Sequence, residues 1–474
     1  MKKILLFLLM LQAATFLQAQ WEPDLRLTND PGISLTSIYN AWCVAASGDT
    51  VHAVWYDDRK GNQEIYYKRS TDRGLTWGED TRLTYALGSS TFPSIAVSGS
   101  LVLVTWSDER SGKSEIYSIR STNGGLGWET EVQLTYADVR ALRSSVVISG
   151  LAVHIVWHDN RDGVWAIYYI RSDNGGLTWG DDTRLTFNST YSVSPSIAVS
   201  GAFLHIAWRE QRDGNDEIYY KNSTDGGLSW GADMRLTNHL TVQDRPSISV
   251  SESVVHVVWR DYRDGDTEIY YARSADGGIT WGANTRLTNC PGDSQSPSIA
   301  VSGNAVHVVW YDDRDILREI YYKRSDDEGL NWSADTRLTY ASGDPQDPSI
   351  AVSGPVVHVV WTDLRDGNQE IYYKRDPTGG FATGTDDMVL NDSGQVISLS
   401  PNPASTRIHI HFNGFLNPQS ILFIRNILGE ALLSRQIQSD ETVIDISNLP
   451  NGIYFVEITQ DKKQTVIKKL IIRK

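Results

Sequence analysis

Apolar and polar residues alternate in short runs along most of this chain, and the copy that starts at Pro297 shows the unit. Its strand-like runs are Ile299 to Val301, Val306 to Trp310, Ile320 to Tyr322 and the short Arg337-Leu338-Thr339, with Gly, Asp, Asn and Ser between them. Runs rich in β-branched and aromatic residues, punctuated in this way, predict four short strands joined by turns. The apolar residues stand at successive positions rather than every second one, which predicts a sheet covered on both faces.

The unit repeats. Tryptophans stand at 55, 106, 157, 208, 259, 310 and 361, each 51 residues after the last. A fixed period of this length predicts one supersecondary unit copied seven times. Sheets that must be covered on both faces and hide their edges stack around an axis, so the expected fold is all-β, a seven-bladed β-propeller. A second tryptophan series at 77, 128, 179, 230, 281 and 332 precedes the outermost strand of each copy, as in Thr81-Arg82-Leu83-Thr84. The seventh copy lacks this ending, because after Lys374-Arg375 it runs into Asp376-Pro377. Trp21 to Thr28 has the spacing of Trp77 to Thr84, so the segment after the leader is expected to supply the missing strand and close the ring over residues 20–381.

Lys2-Lys3, an apolar stretch from Ile4 to about Phe16 and the small Ala19 predict a secretory signal over 1–19. No later stretch reaches the roughly 20 apolar residues of a membrane span. The net charge of −15 is unevenly placed: residues 396–474 hold nine Lys or Arg against six Asp or Glu, leaving 32 positive and 52 negative side chains in 21–395. Such a field repels phosphate backbones and argues against nucleic-acid binding. Cys43 and Cys290 fall at different points of distant repeats, so no disulfide is expected.

Six copies contain Ser-x-Asp/Asn-x-Gly-x-x-Trp, the first being Ser70, Asp72, Gly74 and Trp77; the acid or amide position is then Asn123, Asn174, Asp225, Asp276 and Asp327. The short polar side chain accepts backbone N–H groups inside the turn, Gly permits positive φ, and Trp buries itself between strands. These segments resemble the Asp-boxes of the sialidase superfamily, which implies a propeller over residues 21–381. Asp-boxes also occur in lectins, receptors and other glycosidases. Sialidase catalysis uses three arginines on the substrate carboxylate, one in an Arg-Ile-Pro segment, with a Tyr–Glu pair and an Asp. Here Leu25-Arg26-Leu27-Thr28 stands nearest to that segment, no Arg-Ile-Pro is present, and the Tyr-Tyr pairs recur from 66–67 to 372–373 without singling out a nucleophile. Sialidases of that superfamily also have six blades.

A catalytic pocket needs unlike groups in unlike environments, whereas the most conspicuous residues here follow the repeat. Arg59, Arg110, Arg161, Arg212, Arg263, Arg314 and Arg365 lie in a repeated Trp-x-Asp-x-Arg loop and are expected to pair with carboxylates. His52, His154, His205, His256, His307 and His358 lie three residues before the repeat Trp. Equivalent atoms on packed sheets are about 10 Å apart, against about 2.1 Å for a metal–imidazole bond, so structural histidines are expected, with no metal and no cofactor. Recognition is expected where the repeat breaks on one mouth: Trp42, His158, Trp165, Arg209, Arg260 and Tyr262, and the entry-loop residues Arg140, Arg143 and Arg245. Trp and Arg together suit stacking on a sugar face and pairing with a carboxylate.

After a linker at 382–395 the period stops. Residues 396–474 read as a small β-sandwich with Pro401-Asn402-Pro403, Leu449-Pro450-Asn451-Gly452-Ile453-Tyr454 and a basic end. This region closely resembles the type A sorting domain of the Bacteroidetes type IX secretion system. The resemblance implies contact with that machinery, passage through the outer membrane, removal of the domain, and release or attachment to surface lipopolysaccharide. The expected function is a secreted or surface-displayed, monomeric binding module for glycans or a surface partner. A sialidase-like exo-glycosidase and a structural or adhesive scaffold are the alternatives.

Overall fold

Each repeat folds as an antiparallel sheet whose strands follow one another from the inside outward. In the third repeat the strands are Ala141–Ser149, Ala152–Asp159, Ala166–Ser172 and Thr183–Arg184. The structure, a computed structural model, describes residues 21–37, 42–136, 139–188, 190–378, 396–400, 406–413, 421–426, 430–436, 441–460 and 464–472. The secretory signal expected over 1–19 and the linker expected over 382–395 lie outside these residues. Every element among the described residues is a β-strand, and the chain divides into two compact units, one of them Trp21–Gly380.

The Trp-x-Asp-x-Arg motif is a relay along one strand. The repeat tryptophans are fully buried, and each indole N–H donates to the acid two residues on, as Trp106 does to Asp108 at 2.8 Å and Trp259 to Asp261 at 2.9 Å. The acid is buried too, and the arginine two residues further neutralises it while lying over a tyrosine: Arg59 bonds Asp57 Oδ1 at 2.8 Å and sits 4.4 Å from the Tyr66 ring. Burial alone would push the Asp57 carboxyl up, but Arg59 and the Ser34 hydroxyl outweigh it and hold it below the ordinary range. Arg59 also reaches Asp80 at 2.7 Å on the outer edge of the same repeat. The arginine series is therefore committed within its own sheets.

Neighbouring sheets interlock through the Tyr-Tyr pair. The second tyrosine of one repeat packs edge-on against the turn tryptophan of the next, as Tyr67 does with Trp128 at 4.9 Å and Tyr220 with Trp281 at 4.9 Å. Its hydroxyl meets the histidine of its own sheet, with His205 Nδ1 2.7 Å from Tyr220. It also crowds the glycine of the next turn: a Cβ on Gly278 would lie 1.7 Å from the Tyr220 oxygen, at φ +85°. Gly277 has φ +73° and open space around its would-be Cβ, which allows a matched test. Gly277→Ala is expected to cost about 1–2 kcal/mol for its left-handed backbone, and Gly278→Ala about 1–3 kcal/mol more for overpacking. Equal shifts of the two in thermal unfolding would contradict this packing.

The innermost strands touch in order, and the last returns to the first. A hydrogen bond crosses each junction: the Val146 N–H donates to Ser94 Oγ at 3.3 Å, Ile248 to Ser196 at 3.2 Å, Ile350 to Ser298 at 3.3 Å, and Cys43 to Ser349 at 3.0 Å. Cys43 occupies the serine position in the first repeat; it and Cys290 are free thiols. In the last sheet the outermost strand is Leu25–Arg26, paired with Tyr373 and Tyr372. Trp21 packs on Tyr322 at 5.0 Å in the place the turn tryptophans hold elsewhere.

Burial lowers His52, His154 and His205 to about 4 and His158, His256, His307 and His358 to about 3. A histidine depressed in the folded state takes up its proton first when unfolded, so its stabilisation is complete above the ordinary value near 6.5 and lost as pH falls toward 3–4. Each contributes up to about 1.4 kcal/mol per pH unit in that window. The expected result is a steep fall in unfolding temperature between pH 6.5 and 4; a flat profile there would contradict these buried neutral rings.

In the C-terminal unit one sheet orders Val396–Ser400, Arg407–Asn413 and Glu441–Asp445, and the other Ala431–Gln436, Ile421–Asn426, Gly452–Gln460 and Gln464–Ile472. Both sheets contribute to one core that includes Ile408, Ile444, Leu422 and Leu470.

Candidate functional site

Each innermost strand of repeats two to seven carries a bulge near its start, and the bulged residue is left-handed without being glycine. These residues are Phe92, Arg143, Ser194, Arg245, Ser296 and Asp347, with φ between 49° and 56°. A non-glycine residue there costs about 1–2 kcal/mol, and bulges re-aim side chains. The backbone therefore repeats at this position while the side chain does not. That combination marks a place where the ring symmetry is broken chemically.

A cleft of about 310 Å³ opens around Ser194, whose side chain is small. Arg143 and Arg245 flank it from the bulges on either side, and Arg209 enters from the second strand of the fourth repeat. Trp165 and His158 form another wall, meeting edge to face at 5.1 Å. The Ser194 N–H donates to His158 Nδ1 at 3.4 Å, and burial beside Arg143 lowers this ring to about 3, so it stays neutral. Three guanidinium groups and one carboxylate, Asp244, line the cleft. In a strongly acidic propeller this is a locally cationic hollow, which focuses anions.

The arginines are held by a polar frame. Arg209 bonds the Tyr191 hydroxyl at 2.9 Å and pairs with Asp216, to which Tyr191 also donates. Asp244 lies 3.8 Å from Arg209 but is gripped by Arg260 through two bonds of 2.8 and 2.6 Å. Arg245 donates to Ser296 Oγ at 2.5 Å, and Ser296 donates to Asp347 at 2.8 Å. Burial pushes the Asp347 carboxyl up, and the Ser296 hydroxyl, Arg245 and Arg318 pull it back only in part. Arg143 lies 5.3 Å from the Phe92 ring. Planar forks fixed by such contacts suit carboxylate or sulfate groups, because their donors are already oriented.

Of the residues expected to bind, His158, Trp165, Arg209, Arg245 and Arg143 come together here. Arg260 does not line the cleft: it is 8% exposed and committed to Asp244 and, at 2.9 Å, to Gln295. Tyr262 lies 5.0 Å from Arg260 and shares that supporting role. Trp42 lines the axial channel of about 240 Å³ instead, and its carbonyl accepts the Ile95 N–H at 2.9 Å. Arg140 is exposed, its backbone N–H on Asn160 at 3.1 Å. The sequence reading did not single out Ser194, Asp244, Tyr191, Asp216, Ser296 or Asp347.

On the opposite ends of the sheets, the six repeated turns have the expected geometry: Gly74 N–H donates to Ser70 Oγ at 2.8 Å and Thr76 N–H to Asp72 at 2.9 Å. Thr76 and Ser70 hold the Asp72 carboxyl at about 2, and Asp225, Asp276 and Asp327 are held likewise. Asn123 and Asn174 accept the corresponding N–H groups from Gly127 and Thr178.

Among solved structures, polysaccharide lyase Uly1 matches with a TM-score of 0.51 and 10% identity, over 75% of this chain and 99% of that one. Trypanosoma rangeli sialidase in complex with the inhibitor DANA matches at 0.45 and 12%, over 83% and 86%. PorZ, a bacterial surface component of the type IX secretion system of Porphyromonas gingivalis, matches at 0.45 and 12%, over 93% and 60%. At such identities the first likeness speaks for the fold alone. No curated protein sequence matches the chain. Residues 398–473 match the secretion system C-terminal sorting domain, the mark of export to the medium or the cell surface. No helix among the described residues is long and apolar enough to cross a membrane. The chain thus joins an all-β unit that shares its fold with polysaccharide lyase Uly1 to a secretion system C-terminal sorting domain.

Proposed function

We propose that this chain is an exported, seven-bladed Asp-box propeller that binds acidic glycans in the cleft around Ser194. One observation carries the reading: Arg143, Arg209 and Arg245, from three different repeats, converge beside Trp165 and His158. The guanidinium groups supply charge-assisted bonds to an acid group, and the indole supplies an apolar face for a sugar ring. The frame of Asp244, Tyr191, Asp216 and Ser296 fixes these groups before a ligand arrives, which lowers the entropy cost of binding. The sorting domain delivers such a module to the place where polysaccharides are met.

Calorimetric titration with acidic and neutral oligosaccharides tests this reading. Acidic sugars are expected to bind with an affinity that falls as salt is raised, and neutral sugars of the same length are not. Equal binding of both classes, or of neither, would overturn it. A second reading, an exo-glycosidase, rests on Tyr191, an entry-loop tyrosine whose hydroxyl is bonded to Asp216 beside Arg209. Turnover of a fluorogenic sialoside would move the assignment to that reading.

A further inference from the structure

Large aromatic side chains stand exposed at one repeat position, just after the outermost strand: Tyr85 is 73% exposed, Tyr136 78%, Phe187 75% and Tyr340 71%. The same position holds Asn238, Asn289 and Asn29 in the remaining repeats, all exposed, so folding does not require an aromatic ring there. Rings this exposed bury little surface and contribute little to the core. Single exposed apolar residues are ordinary on any protein. What distinguishes these is order: repeats one, two and three are aromatic in succession.

Each of the three rings also has a polar contact, as Tyr340 has with Arg337 at 4.7 Å. Tyr85 has the Arg82 guanidinium 4.5 Å from its centre, with Arg82 anchored on Glu64 at 2.7 Å. Phe187 has Arg184 at 5.4 Å, itself paired with Asp162 at 2.8 Å. The Tyr136 hydroxyl donates to the Gln133 carbonyl at 3.0 Å. Such contacts favour one orientation of each ring and leave its other face to a ligand.

Their placement ties them to the cleft. Each ring stands seven residues before a bulge residue in the chain: Tyr85 before Phe92, Tyr136 before Arg143 and Phe187 before Ser194. Arg143 and Ser194 line the cleft, and Phe92 lies beneath Arg143. The loop that starts at Tyr340 leads instead to the buried carboxyl of Asp347, and its neighbours at the rim are Asn289 and Asn29. Adjacent packed sheets are about 10 Å apart and diverge outward, so successive platforms are several sugar rings apart.

We propose that Tyr85, Tyr136 and Phe187 form a stacking rail along the rim, and that the protein takes a linear acidic polysaccharide whose one segment fills the cleft while its continuation lies over the rail. This rests on the cleft reading given above and deepens it from an acidic sugar to an acidic polymer. Once an acid group is held in the cleft, the remaining sugars meet the rail at high effective concentration, and at physiological salt their repulsion from the acidic propeller is screened beyond about 8 Å, so long chains gain affinity that short ones cannot.

The test titrates wild-type protein with size-fractionated oligomers of galacturonate, mannuronate and chondroitin, two and twelve sugars long. For an oligomer that binds, the longer form is expected to bind about tenfold or more tightly than the shorter, and the triple variant Tyr85→Ala, Tyr136→Ala, Phe187→Ala to lose that gain. The same variant is expected to bind the two-sugar form as wild type does, and Tyr340→Ala to change neither. The exposed positions leave the fold intact, and the unchanged two-sugar affinity reports it. If two-sugar forms bind while length brings no gain, or the triple variant keeps the gain, the rail is overturned and the cleft stands. If no oligomer of either length binds wild-type protein, the cleft reading falls and the rail with it.

Discussion

Deleting residues 21–28 is expected to lower the unfolding temperature of the propeller by more than about 10 °C, taking roughly 2 °C per kcal/mol for a domain of this size. The segment is short, but Trp21, Glu22, Asp24, Arg26 and Thr28 each close a contact with the last repeats. Trp21 packs on Tyr322, and losing a large aromatic contact costs about 3–5 kcal/mol when the ring is well packed. Asp24 pairs with Arg365 at 2.6 Å and with Lys374 at 2.8 Å. Arg26 at 2.7 Å and the Thr28 hydroxyl at 2.5 Å both serve Glu370, which is fully buried. Without them Glu370 keeps Asn368 at 3.0 Å as its side-chain partner, and a buried charge stripped of its ion pair costs about 3–5 kcal/mol. Glu22 holds Arg375 through two bonds of 2.6 Å. Differential scanning calorimetry of the two forms measures the loss. An unchanged transition would mean that this strand does not close the ring.

The second large effect is on binding. Arg209→Ala is expected to weaken an acidic oligosaccharide by about 2–5 kcal/mol, the range for removing one partner of a desolvated charge pair, or roughly 30-fold and upward. Asp244 stays with Arg260, whereas buried Asp216 keeps only the Tyr191 hydroxyl, so a fall in unfolding temperature is expected beside the loss of binding. Trp165→Ala removes the apolar wall and is expected to weaken acidic sugars without changing their salt dependence, since no charge is lost. Arg260→Ala behaves differently. It strips Asp244 of its main cation, so it lowers stability as well as affinity. Titration calorimetry and thermal unfolding on the same samples separate these outcomes.

The fold was legible because each repeated residue has a local duty that shows in sequence. The indole of Trp106 needs an acid, Asp108 supplies it two residues on, and Arg110 neutralises that acid two residues further. Gly278 is required by the neighbouring Tyr220, and the 51-residue period carries both. The closing strand was legible from the spacing of Trp21 and Thr28. The cleft was legible in part. His158, Trp165 and Arg209 depart from the repeat on the second strand and its loop, where comparison of copies exposes them. Ser194, Ser296 and Asp347 were missed because a bulge is a backbone event, and side chains that differ between copies conceal a conformation that does not. The pairing of Arg260 with Asp244 does not show in the sequence, because Asp244 lies 16 residues earlier and meets it only across the strand pairing. Trp42 departs from the repeat as strongly as Trp165, yet it lines the axial channel and not the cleft.

The most direct measurement is a crystal structure of residues 20–395 soaked with acidic oligosaccharides. Density is expected over Ser194, with an acid group between Arg143, Arg209 and Arg245 and a sugar ring against Trp165. Ordered sugar elsewhere on the propeller, with this cleft empty, would contradict it.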